Sequence, residues 1–425
     1  MAFKWWIKLR LHVANNQIRM NSLMSLLSLI ISLVVVIALI LYHGFYFNHH
    51  TQYYIRLLIY GSLWFYIIKY WLLCFYSMNK WEYIKSSLFE FFVIVILILH
   101  FISVSVLPVE INFIDTDKFN RYYLLGIQLY FLIIAVMELS KSTSIYKQLN
   151  FFPPKLMLFS FLALIVLGTL LLMMPQMTYS GISFIDAMFT ATSASCVTGL
   201  TTLSITSTFT FKGLIIIMIL TQLGGMSILT FAVFFTTIIH KSGAGLCYQH
   251  LIKDLMASDR SSDSYSLLKN VIITTLSIEI AGVLLLYFYW KNSGSFRTNG
   301  DAFFYAIFHA VSAFNNAGFT LWNSNFMHSS MIHSYIPQFV IMFLVLSGGI
   351  GFFTLTDLFG PKSIRNRKKY PWKKLLSGTK IVLKTTFSLI IVGSFLFFII
   401  EYNNSLSSHD TFFTKAFAAL FQIIV

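Results

Sequence analysis

The sequence predicts an all-α polytopic membrane protein in which a unit of span, short helix, glycine turn and span recurs. Two copies are complete and a third is partial, and they follow a four-helix N-terminal extension. Three observations carry this: scarce charge, alternating basic loops and one internal repeat. Of 425 residues, 57% are hydrophobic and 11% charged, where a soluble domain needs about a quarter charged to coat its surface. No Asp, Glu, Lys or Arg falls between Met20 and Ile55, from Gly213 to Ile239, or from Ala302 to Thr356. About 20 apolar residues of helix suffice to cross a bilayer.

Apolar stretches of that length run over 22–47, 53–76, 87–108, 121–139, 156–174, 212–240, 268–290, 335–358 and 378–400. The first follows a basic N-terminus, as a signal peptide does. It is too long for a typical apolar core of one and no small-residue cleavage motif follows, so it reads as a retained helix. The net charge of +15 is scattered between spans, which argues for membrane lipid and against nucleic acid as the partner. Cys74, Cys196 and Cys247 lie far apart, so neither a disulfide framework nor a zinc site is indicated.

Orientation follows from the loops. Lys4, Lys8, Arg10 and Arg19 place the N-terminus in the cytoplasm under the positive-inside rule. Lys80 and Lys85 then fall inside, and Glu110, Asp115 and Asp117 outside. Lys141, Lys147, Lys155, Lys241, Lys253, Arg260 and the run from Lys362 to Lys374 all return inside. That alternation holds only if the segments near 185–200 and 301–320 do not cross. Both are therefore expected to dip in from the outside and return.

These two segments also repeat each other. Ala187–Leu200 lies over Ala306–Phe319 without a gap, with Ala, Phe, Ala, Ser, Ala and Gly coinciding. The following spans match at Leu223-Gly224-Gly225-Met226-Ser227-Ile228 and Ser347-Gly348-Gly349-Ile350-Gly351-Phe352. Repeats of this kind build central sites in membrane proteins. A helix over 185–194 would be ~15 Å long, half of a ~30 Å hydrocarbon core. Its carbonyl end would stop near the midplane, where its dipole favours a cation. Non-helical backbone at that depth must line protein or a water-filled cavity. Ser195, Cys196, Val197, Thr198 and Gly199 form one such stretch; Phe314, Asn315, Asn316, Ala317 and Gly318 form the other. Both would offer backbone carbonyls to a dehydrated ion. Neither stretch holds a carboxylate, which suits a monovalent ion better than Ca²⁺ or Mg²⁺.

Thr-Ser-Ala-Ser-Cys-Val-Thr-Gly-Leu (192–200) and Ser-Ala-Phe-Asn-Asn-Ala-Gly-Phe (312–319) resemble the first and second selectivity filters of the TrkH/KtrB potassium transporters. Gln222-Leu-Gly-Gly and Gly348-Gly-Ile-Gly resemble that family's glycine pairs after each filter. The likeness covers about 156–425. It implies repeated span–pore helix–filter–span units, with potassium as substrate at the filter residues and no covalently bound cofactor. It also implies a homodimer in the cytoplasmic (inner) membrane, gated by a cytosolic nucleotide-binding subunit of the KtrA/TrkA type. The expected domains are a four-span extension (1–150), a first repeat (151–260), a second (261–375) and a partial third (376–425). The family fold needs four units. Ala419–Val425 overlays Ala187–Ser193, which puts a third filter glycine six residues beyond Val425. The expectation is therefore a truncated gene product, a partial sequence or an engineered piece, with 1–425 alone inactive and its parent taking up potassium.

Other residues carry two readings each. His309 is a gating or proton-linked group, or a packed core histidine, the latter favoured. Glu279, mid-span, marks a functional site or bonds the backbone of a neighbouring helix, evenly balanced. The run 362–374 docks a regulatory subunit or anionic lipid, or only fixes topology. Gly224, Gly225, Gly348 and Gly349 permit close helix packing, which is favoured over a hinge. Two competing functions stand beside potassium uptake. One is a sodium-permeable relative, against which the filter glycines speak. The other is a membrane-embedded enzyme using His309, Asp301 and Glu279, which leaves the repeat unexplained.

Overall fold

The computed structural model describes residues 2–77, 153–226, 264–294, 296–323, 334–370, 375–408 and 411–425, with a few isolated positions between them. The spans expected at 87–108 and 121–139, the second half of 212–240, and the basic residues Lys141, Lys147, Lys241, Lys253 and Arg260 lie outside this set. So do the acidic loop residues Glu110, Asp115 and Asp117. Every element of regular structure among the described residues is helical. Two compact units emerge, Met1–Leu149 and Asn150–Val425.

In the first unit, α1 (Ala2–Gly44) and α2 (His49–Tyr76) form a helical hairpin. α1 has 43 residues, about 65 Å of helix, so it begins well before the apolar stretch expected at 22–47. Val35, Leu39, Ile59 and Leu63 make the seam. Ser28 and Ser32 on α1 bond back to their own helix, and the Tyr66 hydroxyl of α2 donates to the Ser28 carbonyl at 2.9 Å. Satisfying polar groups within and between helices is what permits them at this depth.

The second unit begins with α3 (Pro153–Leu172), α4 (Phe184–Ser195) and α5 (Phe211–Gly225). It continues with α6 (Ser264–Asn292), α7 (Asn299–Phe314), α8 (Tyr335–Gly349), α9 (Phe352–Phe359) and α10 (Pro361–Lys369). It closes with α11 (Ser377–Glu401) and α12 (Phe412–Ile424). Among the described residues, four helices are long and apolar enough to cross a membrane: Leu23–Gly44, His49–Tyr76, Asn270–Asn292 and Ser377–Glu401. Phe387, Leu389 and Phe395 on α11 are exposed, as side chains facing lipid are.

The short helix α4 packs between α3 and α5, and α7 packs between α6 and α8. The reason lies in their small residues. Ala187, Ala191 and Ala194 on α4, and Ala302, Ala306, Ala310 and Ala313 on α7, are buried in two hydrophobic clusters. Alanine at helical spacing lets neighbouring backbones approach closely. α5 also touches α7, which ties the first group of helices to the second.

One expected element differs. The apolar stretch 335–358 is broken after Gly349: Gly351 has φ of 82° and α9 starts anew at Phe352. A residue in the left-handed region cannot continue a right-handed helix. Hydropathy runs unbroken through the break and does not register it.

Candidate functional site

The site is built at the carbonyl ends of α4 and α7. Each helix is started by a hydroxyl cap. Ser183 accepts from the Asp186 N–H and Thr298 from the Asp301 N–H, both at 3.1 Å. The acids in these first turns also complement the positive end of the helix dipole. Hydrogen bonds from Ser183 and Thr202 hold the Asp186 carboxyl below the usual carboxylate range. α4 has 12 residues and α7 has 16, roughly 18 and 24 Å. Each is shorter than a ~30 Å hydrocarbon core.

Both helices end in the same way. Thr198 N–H bonds the Ser193 carbonyl at 2.8 Å and Val197 N–H the Ala194 carbonyl at 3.3 Å. Ala317 N–H bonds Ser312 at 2.8 Å and Asn316 N–H bonds Ala313 at 3.1 Å. This paired 6→1 and 5→2 closure puts the intervening residue in the left-handed region, here Val197 (φ 56°) and Asn316 (φ 57°). Two residues on, Gly199 (φ 75°) and Gly318 (φ 72°) take the same hand. The chain thus leaves each helix in a tight, repeatedly reversed turn.

The two turns meet. A Cβ on Gly199 would collide with the Ala317 carbonyl oxygen and sit 3.3 Å from Gly318 Cα. Glycine is therefore required at Gly199 twice over, by hand and by clearance. The following helices carry glycine for a steric reason. A Cβ on Gly224 would strike the Ser195 carbonyl oxygen, and one on Gly348 the Phe314 carbonyl oxygen. Of the ten expected filter residues, the structure thus places Ser195 and Phe314 as last helical residues seated on glycines. The other eight form the turns.

A polar network stands behind the second turn. Asn315 Nδ2 donates to Gln222 Oε1 on α5 (3.0 Å), Glu279 Oε1 on α6 (3.3 Å) and the Val311 carbonyl (2.8 Å). Gln222 Nε2 donates to Glu279 Oε2 at 3.2 Å. Asn315 Oδ1 fills the space where a Cβ on Gly225 would be. Sequence reasoning weighed Glu279 as a functional acid or one bonded to a neighbouring helix backbone; its bonds run instead to side chains of α5 and α7, and the Gln222 side chain had been given no role. Their meeting depends on how α5 and α6 pack.

His309 is a core residue. Its Nε2 accepts from the Leu321 N–H at 3.3 Å, which leaves Nδ1–H to donate to the Tyr305 carbonyl at 2.8 Å. Trp322 lies against the ring at 4.3 Å. Ser312 Oγ donates to the Phe319 carbonyl at 2.8 Å and the Tyr305 hydroxyl to Leu321 at 3.3 Å. α7 therefore grips the segment leaving the second turn. Among the described residues, no group of His, Cys, Asp or Glu could hold a metal ion.

An all-helical membrane protein in which short helices aim their carbonyl ends at a shared cluster of glycine turns is the class that this geometry defines. Residues 127–423 match the TrkH family of cation transport proteins, and the chain belongs to that family, which is one of transporters and not of enzymes. It is 35% identical over 294 residues to the Ktr system potassium uptake protein B of Bacillus subtilis, covering 68% of this chain and 62% of that protein. It is 33% identical over 257 residues to the protein of the same name from Vibrio alginolyticus, covering 59% and 52%. Against the potassium/sodium uptake protein NtpJ of Enterococcus hirae, identity is 30% over 275 residues, covering 64% and 58%. The chain spans between half and two thirds of the length of these relatives.

Proposed function

We propose that this chain forms part of a pathway for potassium uptake across the cytoplasmic membrane. Potassium is the substrate, coordinated by backbone carbonyls of Ser195–Gly199 and Phe314–Gly318. The observation that carries this is the apposition of Gly199 and Gly318 at the ends of two helices with matching closures. It supports reading the two halves as repeated span–pore helix–filter–span units divided near 260 and 375, with a third beginning after 375. In that register Thr411, the cap of α12, overlays Thr298, the cap of α7. The names of the Bacillus and Vibrio relatives support potassium. A backbone site suits a weakly hydrated monovalent ion because carbonyls replace its water at little cost. The proposal includes a cytoplasmic N-terminus, a homodimer and a cytosolic nucleotide-binding regulator of the KtrA/TrkA type.

A sodium-permeable pathway is the second reading, favoured by the Enterococcus relative named for both ions. Competition of K⁺ and Na⁺ for ⁸⁶Rb⁺ uptake by the full-length gene product, in bacteria lacking their own potassium transporters, separates the two. It also tests the filter. Gly199→Ser and Gly318→Ser should each narrow the K⁺/Na⁺ preference about tenfold, the equivalent of ~1.4 kcal/mol. Gly378→Ser is the control, because a Cβ there meets nothing within 4 Å. An unchanged ratio in both filter variants would reduce these turns to structural corners.

A further inference from the structure

The second turn is braced far more heavily than the first, and the brace ends on a carboxylate. At the position of Asn315 the first turn has Cys196, which is exposed. At the position of Ser312 it has Ser193, whose buried hydroxyl has no hydrogen-bond partner among the described residues. Around Asn315, by contrast, three elements converge. Glu279 and Asn315 are 4% and 8% exposed, and their bonds with Gln222 close a triangle in which each member touches the other two.

The chemistry of the triangle assigns its roles. An amide offers two N–H donors and one acceptor oxygen, whereas an ionised carboxylate offers two acceptors and no donor. Glu279 spends one oxygen on each amide, and it is the one member of the triangle that accepts from both of the others. Asn315 is also the capping residue of α7, with φ of −79° and ψ of 0°, immediately before the left-handed Asn316. Its side-chain bonds to α5 and α6 therefore tether the first residue of the second turn to two neighbouring helices. Asn315 Oδ1 stands where a Cβ on Gly225 would be, so the amide keeps this place only while residue 225 is glycine. Buried polar groups that are fully paired fix a single arrangement, and removing one member orphans the rest.

We infer that Glu279 is a positioning residue for the second filter, setting ion preference through Asn315 and Gln222 without touching the ion. This rests on the filter reading above and deepens it. Ion preference depends on where carbonyls stand, so a lost prop alters the K⁺/Na⁺ ratio as well as the amount of active protein.

The test is the same ⁸⁶Rb⁺ competition on Glu279→Ala, Glu279→Gln, Asn315→Ala and the double variant Glu279→Ala/Asn315→Ala, with Gly318→Ser alongside. Glu279→Ala should lower the K⁺/Na⁺ ratio about tenfold and the near-isosteric Glu279→Gln about threefold, since glutamine keeps one acceptor oxygen. The double variant should fall no lower than the worse single, because residues acting through one another are not additive. Should Glu279→Ala fail to reach the membrane, Glu279→Gln alone decides. If Gly318→Ser changes the ratio and the Glu279 variants do not, the inference fails and the filter reading stands. If Gly199→Ser and Gly318→Ser also leave it unchanged, the filter reading itself fails. Additive losses in the double variant, or equal loss of uptake for every ion at an unchanged ratio, would also overturn the positioning role.

Discussion

Val197 is the residue at which the first turn is most strained. A β-branched side chain in the left-handed region is a conformational outlier, costing about 1–3 kcal/mol that the surrounding packing must offset. The second turn uses Asn316 at the same place, a residue that tolerates this hand. Its amide, oriented to satisfy both neighbours, reaches the Val345 carbonyl at 3.0 Å and the Gly349 N–H at 3.2 Å. Val197→Asn is therefore expected to raise thermal stability by about 1 kcal/mol, read as a higher midpoint in detergent. A lower midpoint would mean that valine's packing outweighs its strain. His309 is the opposite case, bonded at both ring nitrogens and packed against the Trp322 ring. His309→Ala should destabilise by about 3–5 kcal/mol, combining a cavity with an orphaned Leu321 N–H. If the histidine instead relayed protons, a folded His309→Gln variant would shift the pH profile of uptake between pH ~6 and ~8. No shift is expected.

At the scale of elements, the glycine pairs decide how deeply the short helices seat. Gly224 and Gly348 face backbone carbonyls, not flexible side chains, so an added methyl can be accommodated only by moving a helix end. Gly224→Ala and Gly348→Ala should each cost about 1–3 kcal/mol, in the range of overpacking, and sharply reduce uptake, whereas Gly378→Ala leaves both unchanged. Thermal midpoints and ⁸⁶Rb⁺ uptake on the same preparations check this; wild-type uptake in either filter-side variant would show that the helix ends need not seat so closely. The preference for packing over hinging at Gly224 and Gly348 was legible from the Gly-Gly pairs alone. What they pack against was not, because Ser195 lies 29 residues before Gly224 in the chain and only the fold of α4 onto α5 brings them together. The break at Gly351 was equally hidden, since hydropathy measures composition and not backbone hand.

For the whole molecule, the proposed orientation makes a simple demand. Cysteines introduced at Lys4 and Lys368 should react with impermeant reagents only from the cytoplasmic side, and one at Tyr179, an exposed residue before α4, only from outside. Labelling of position 368 from outside would mean that one short helix crosses the membrane after all, since a single extra crossing inverts every later loop. The membrane class and the short helices could be read from sequence because they depend on local quantities: charge density, span length, and a gapless repeat of Ala, Ser and Gly at fixed spacing. Eight of the ten residues expected to leave the helical path do form the two turns, while Ser195 and Phe314 still belong to the helices before them, a boundary that sequence pattern does not set to within a residue. Tertiary structure alone decided which groups meet. It set Gly199 against Gly318, seated Ser195 on Gly224, and joined Glu279 to Asn315 across 36 residues of chain. Such contacts arise from the packing of helices on one another, and in a sequence this uniformly apolar hydropathy does not record which faces touch.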